Sequence, residues 1–171
     1  MAADFPRDLA EKIEAQKISY GAALSLRFLD ETGREAACAF LEELRPSSSL
    51  MKEFAQHMVD ISKKDGITAG EIIDGLKDIT RARSSRKIKT EKVRHALRVR
   101  RFPLLTEKEN ELKDAVKKLS LSQNLSLNYP ENMEGKKVSL VIRFKNIAEL
   151  QKSLDEIKKK SDQLDEFLEI L

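Results

Sequence analysis

The sequence predicts a mainly α-helical protein with a small α+β part, on three observations. Apolar residues recur at spacings of three and four from Leu9 to Leu119, as one face of a helix requires. Two short runs at 125–129 and 138–144 alternate apolar and polar residues instead. From Ile147 to the end the three-and-four spacing returns, with a single polar position at Ser161. With 171 residues the chain has room for one ordinary domain or two small ones, each with a modest core.

Asp4, with Pro6 just inside, opens a first short helix whose apolar positions Leu9 and Ile13 are four apart. From Ile18 to Leu29 a compact run holds Ala22, Ala23, Leu24, Leu26 and Phe28, and Asp30, Glu31 and Thr32 then offer an N-cap for a helix over 34–44. In that helix Ala37, Phe40, Leu41 and Leu44 mark a buried stripe, which Pro46 and three serines end. Leu50, Phe54, Met58 and Ile61 keep helical spacing over 50–63, and Asp65-Gly66 supplies a turn. Thr68 caps a further short helix bearing Ile72, Ile73, Leu76 and Ile79, so residues 1–80 read as a domain of five short helices.

A basic run follows, RARSSRKIKTEKVRHALRVRR over 81–101, with ten Lys or Arg residues and one acid, Glu91. It carries +9 in a chain whose net charge is +3, leaving the remaining residues at about −6. Charge segregated in this way can set up a field that attracts polyanions, which interspersed charge would largely cancel. Thr90 reads as a cap for a helix with Val93, Ala96, Leu97 and Arg100, in which Arg94, Arg98 and Arg101 fall at i, i+4 and i+7 on one solvent-facing stripe. The segment 81–104 is thus expected as a basic connector with one cationic helix. Its bland reading is a solvated linker, aided by Arg83-Ser84-Ser85-Arg86. A sequence-indifferent phosphate grip is preferred, because ten cations against one anion exceed what solubility requires. The candidate nucleic-acid-binding residues are Arg81, Arg83, Arg86, Lys87, Lys89, Arg94, Arg98, Arg100 and Arg101. Aromatics are only 5% of the chain and Trp is absent, so stacking platforms for single strands are not expected and duplex phosphate is the better target.

Beyond Pro103 the pattern changes. Thr106 and Glu109 read as a capping box opening a helix with Leu112, Ala115, Val116 and Leu119 on one face. Leu125, Leu127 and Tyr129, then Val138, Leu140, Ile142 and Phe144, form two strands joined through Pro130 and Gly135. Asn146 caps a last helix in which Ile147, Leu150, Leu154, Ile157, Ser161, Leu164, Leu168 and Leu171 make a heptad seam. A two-stranded sheet is marginal alone, so self-association of this 105–171 helix–strand–strand–helix unit is expected through Val138, Leu140, Ile142, Leu150, Leu154, Ile157, Leu164 and Leu168. The alternative is that the seam packs internally on the 107–119 helix.

No catalytic or metal motif is present. His57 and His95 are 38 residues apart with no ligand spacing, and the adjacent carboxylates Glu42-Glu43 and Asp165-Glu166 point about 100° apart on a helix. Gly66 and Gly70 lack the Gly-Lys-Ser/Thr ending of a phosphate loop. No enzyme activity, cofactor or metal is expected. Cys38, the single cysteine, sits between alanines as a small buried residue, in agreement with a cytoplasmic setting. The N-terminus has no export signal, and no apolar run approaches the roughly 20 residues needed to cross a bilayer, so no membrane partner is expected.

Two stretches resemble ParB-type partition proteins: FPRDLAEKIEAQKISYGAALSLRFLD is similar to the passage after their recognition helix, and KTEKVRHALRVRRFPLLTEKENEL with the following helix–strand–strand–helix is similar to their C-terminal part. The resemblance implies a non-enzymatic, nucleoid-associated DNA scaffold serving partition or regulation, with a C-terminal domain that dimerises. Within a partition system it admits a partner ATPase. The arginine-rich phosphate motifs of the family's nuclease-like domain have no counterpart here, so nucleotide hydrolysis and specific site recognition are not implied. Met1 leads almost directly into the matching passage, as in a fragment or shortened relative. The family's lysine-rich end domain further implies non-specific DNA contact by Lys136, Lys137, Lys145, Lys158, Lys159 and Lys160.

The competing expectation is a helical adaptor that binds proteins and uses the basic run only as a spacer.

Overall fold

The computed structural model describes residues 5–130 and 137–170; Asp4, Gly135, Lys136 and Leu171, which carry expectations above, lie outside the described residues. The described residues form ten helices and one two-stranded antiparallel sheet, divided between two compact units, Met1–Phe102 and Pro103–Leu171. The protein is mainly α with a small α+β part.

In the first unit the helices begin at a polar cap that satisfies a first-turn N–H which the helix itself cannot, except the two that begin after Pro6 and Leu76, which have none. Helix α1 (Arg7–Glu14) buries Leu9 and follows Pro6. Helix α2 (Tyr20–Leu26) starts at Ser19, whose hydroxyl accepts from the Ala22 N–H. Its buried Ala22 and Ala23 carry little bulk, which lets it pack on α4 (Ser48–Asp65). Between them α3 (Glu31–Leu44) starts at Asp30, whose carboxylate accepts from Gly33 at 2.8 Å. It ends where Arg45 turns left-handed (φ 46, ψ 55).

Helix α4 ends at Gly66, also left-handed at φ 66, a conformation that costs glycine nothing. Thr68 and Glu71 form a reciprocal capping box for α5 (Ala69–Asp74), and α6 (Lys77–Arg81) follows. The one helix expected over 69–79 is therefore two, broken at Gly75 and Leu76, so six helices rather than five precede the basic segment.

Helix α7 (Arg86–Arg101) starts at Ser85, not at Thr90. Thr90 is buried inside it, and its hydroxyl donates to the Arg86 carbonyl four residues back, a bond open to a mid-helix threonine. Thr90, Val93 and Leu97, at i, i+3 and i+7, turn inward, and Val93 and Leu97 join Phe54, Met58, Ile61, Leu26 and Leu41 in the core. Burying these two aliphatics stabilises α7 in place by about 1.5–3 kcal/mol each. Most of the segment expected as a connector is thus a wall of the first unit.

The second unit is thinner. Helix α8 (Pro103–Leu119) begins three residues before the expected capping box, with Pro103 at the first position, where a missing N–H is harmless. Strands β1 (Leu125–Asn128) and β2 (Ser139–Ile142) pair antiparallel, with Leu125 opposite Ile142 and Leu127 opposite Leu140. The expected single final helix is two: α9 (Ile147–Lys159), capped by Asn146, and α10 (Ser161–Ile170). Lys160 makes the break, its ammonium donating to the carbonyls of Leu119 and Ser120 at the end of α8, and Ser161 and Asp162 open the new helix.

The break re-phases the apolar stripe. Phe167, outside the expected seam, is fully buried with Leu112 and Leu119 and meets the Tyr129 ring edge-on at 5.6 Å. It is therefore α10 that packs on α8.

Helix α9 is held by a polar row. Asn124 donates to Ser153, the Ser122 N–H donates to Glu156 at 3.0 Å, and Lys160 closes the row. Its apolar row points elsewhere, leaving Ile147 66% and Leu154 44% exposed.

Candidate nucleic-acid interface

The position of each basic residue follows from which face of α7 the core claims. Arg94 and Arg101 lie four residues after the buried Thr90 and Leu97, hence on the flank of the buried stripe and not opposite it. There they meet α4, whose Glu53 and Asp60 are likewise seven residues, two turns, apart. Arg94 grips Glu53 with two bonds of 2.8 and 3.0 Å, and Arg101 pairs with Asp60. Both pairs are separated by 41 residues in sequence, so α4 and α7 run parallel in a fixed register. Arg100 reaches Asp65 at 3.0 Å on the other flank, and Lys64 donates to the Arg100 carbonyl.

The expected solvent-facing stripe of Arg94, Arg98 and Arg101 is therefore corrected: Arg94 and Arg101 close the α4–α7 seam, and Arg98 is half-buried with interactions of its own. The face of α7 pointing away from the core carries Ile88, Lys92 and His95. Lys89 is half-buried and donates to the Thr80 carbonyl. Arg81, Arg83, Arg86 and Lys87 remain exposed and pair with no carboxylate among the described residues. They run from the last residue of α6, through the α6–α7 loop, to the first turn of α7.

Sequence reasoning missed Arg45, which stands alone between Leu44 and Pro46. The 41-residue register that aligns Glu53 with Arg94 also aligns Arg45 with Arg86, and the two line one groove with Lys87. The signal was the matched seven-residue spacing of Glu53 and Asp60 with Arg94 and Arg101, visible only once the two helices are known to be partners.

His57 lies in the α4 row between Glu53 and Asp60, 4% exposed, with the Phe102 ring edge-on at 6.0 Å. Burial, and then the charge of Arg101, hold its pKa below the ordinary imidazole value, and its Nδ1 has no hydrogen-bond partner among the described residues. Burial pushes the Cys38 thiol up to about 11, which suits a packing residue and not a nucleophile. Among the described residues no three His, Cys, Asp or Glu side chains gather where they could hold a metal ion, and no helix is long and apolar enough to cross a membrane.

In the second unit the expected dimerisation residues divide. Val138 and Leu164 pack on the unit's own core, Leu140, Ile142, Leu150 and Ile157 are half-buried, and Leu154 and Leu168 are exposed. Of the expected lysines, Lys160 is occupied with the carbonyls of α8, whereas Lys137, Lys145, Lys158 and Lys159 are exposed. Comparison with known proteins finds no matching family model, no matching curated protein and no matching solved structure.

Proposed function

We propose that the chain is a non-enzymatic DNA-associated protein of ParB-like type that holds duplex phosphates with the first unit and pairs with a second copy through the second. The observation that carries this reading is the division of the basic run. Arg94, Arg100 and Arg101 are neutralised by α4, but Arg81, Arg83, Arg86 and Lys87 stay exposed, clustered and without an acidic partner among the described residues. Like charges held close together repel, and a polyanion relieves that repulsion while releasing its own counterions. Pairing of two copies doubles the contacts and raises avidity through effective concentration. It is supported by the exposed Phe144, Ile147, Leu154 and Leu168 on a unit whose core rests on Leu112, Leu119 and Phe167.

Filter binding of a duplex across a salt series tests this. Four to six phosphate contacts give a log–log slope of about −4 to −5. A slope near zero removes the DNA reading.

A second reading, a protein-binding adaptor, draws on Tyr20 and Leu24 of α2 and on Phe28 two residues past its end, all three exposed. Replacing Arg81, Arg83, Arg86 and Lys87 together with Gln separates the two. DNA affinity collapses under the first reading, and under the second the wild type has no salt-dependent DNA affinity to lose.

A further inference from the structure

We infer that the groove between the N-terminal ends of α4 and α7 seats a phosphodiester of the DNA backbone, held by Arg45, Arg86 and Lys87; this rests on the DNA reading and deepens it. The groove has a volume of about 440 Å³. Three cations from two distant chain segments line it, with one acid, Glu91. Neither Arg45, Arg86 nor Lys87 pairs with a carboxylate among the described residues, in contrast to the arginines further along α7.

Tertiary structure assembles this cluster. The left-handed turn at Arg45 brings the chain from α3 into α4 through only Pro46 and Ser47. The parallel register of α4 and α7 then sets that turn beside Ser85 and Arg86. Parallel packing has a second consequence. Both helices, of 18 and 16 residues, present their N-termini at the same end, so their dipoles add there. The caps Ser47 and Ser85 line the groove, and each satisfies only its own N3 amide, of Leu50 and of Ile88, at 3.4 Å. The preceding amides of each first turn have no acceptor within their helix.

Beside the groove, sharing Arg86 with it, lies a smaller cavity of about 160 Å³. The Ser84 hydroxyl is buried there without a hydrogen-bond partner among the described residues. The smaller cavity is lined by Arg86, Lys89 and the acid Glu43, whereas positive charge from side chains and helix ends is concentrated in the groove, and an anionic oxygen with several acceptor positions answers it there.

The test uses the full chain in two arms. In the first, the variant Arg45→Gln with Arg86→Gln is compared with a charge-matched control, Arg7→Gln with Lys108→Gln, whose cations sit in exposed surface pairs with Glu11 and Glu111. The groove variant should lose about one to two units of salt slope on a duplex, and the control none. In the second arm, amide resonances of Ser48, Ser49, Arg86 and Lys87 are followed as a short duplex, or inorganic phosphate at matched ionic strength, is added. The expected result is a saturable shift with the duplex at concentrations where inorganic phosphate produces none.

A wild type that binds DNA while the groove variant keeps its slope, or while these amides stay still, overturns the seat and leaves the DNA reading standing. Saturation by inorganic phosphate without any shift by duplex makes the groove a small-anion site and overturns the proposal. A wild type that binds no duplex at any salt removes both readings together.

Discussion

The two units use the same apolar alphabet to different effect. In the first, Phe54 on α4 shares one buried cluster with Leu9, Leu26, Leu41, Ile61, Ile72 and Leu97, which come from six different helices. In the second, helices with equally regular patterning bury only Leu112, Leu119 and Phe167 fully in one cluster, and Phe144, Ile147, Leu154 and Leu168 stay in contact with solvent. An amphipathic stripe shows that a helix wants a partner; whether one is at hand depends on how many elements surround it. Charge follows the same rule. The α4 carboxylates meet the arginines of α7 that flank the core, while the cations at the helix start lie beyond their reach.

The largest test of the contrast is a matched pair of truncations. Phe54→Ala and Phe167→Ala should each cost about 3–5 kcal/mol. The first unit has enough buried contacts to remain folded after that loss, whereas the second should lose its α8 amide protection at 25 °C with α4 still protected. Hydrogen exchange reads both helices in one sample. Equal loss in both units, or loss in the first alone, would break the contrast.

Next in size is the exposed apolar row. With Leu154→Asp and Leu168→Asp together, sedimentation should change from a dimer to a monomer while α8 amides remain protected, because neither side chain is part of the unit's own core. A wild type that sediments as a monomer at micromolar concentration would show that the row needs no second copy.

A smaller effect sharpens the charge comparison. Glu53→Gln removes the bidentate acceptor of Arg94, and since the pair is part-exposed the stability loss should be only about 0.5 kcal/mol. The released guanidinium should steepen the salt slope on a duplex by about one. An unchanged slope would mean that this flank of α7 never faces the polyanion.

The smallest effect is a pH dependence carried by His57. Its folded pKa lies below the ordinary value of 6.5, so the unfolded chain takes up the proton first and stability is lost as pH falls from about 6.5. Arg101 and Arg94 oppose protonation, and Glu53 and Asp60 favour it. The Glu42 carboxyl is held low by hydrogen bonds from Lys12 and Lys17, so its contribution is present above 4.5 and lost only below that. Urea titrations between pH 7 and 5 should therefore show a decline in the wild type that is absent in His57→Gln. A parallel decline in both would assign it elsewhere.

Sequence by itself determined the helical class, the caps at Asp30, Thr68 and Asn146, the burial of the Ala37, Phe40, Leu41 and Leu44 stripe, and the pairing of two short strands, because these depend on neighbours within a few residues. It also located the basic run. Only the tertiary structure decided which way that run faces: Thr90, which resembles a cap locally, is carried into the core by packing, and the arginines at its flank turn to α4. Tertiary structure likewise broke the last helix at Lys160, whose partners are carbonyls some forty residues earlier, and so made Phe167 rather than the heptad seam the centre of the second core. Local patterning sets what each segment can form. Contacts distant in sequence, the parallel register of α4 and α7 above all, set which charges are left for a partner.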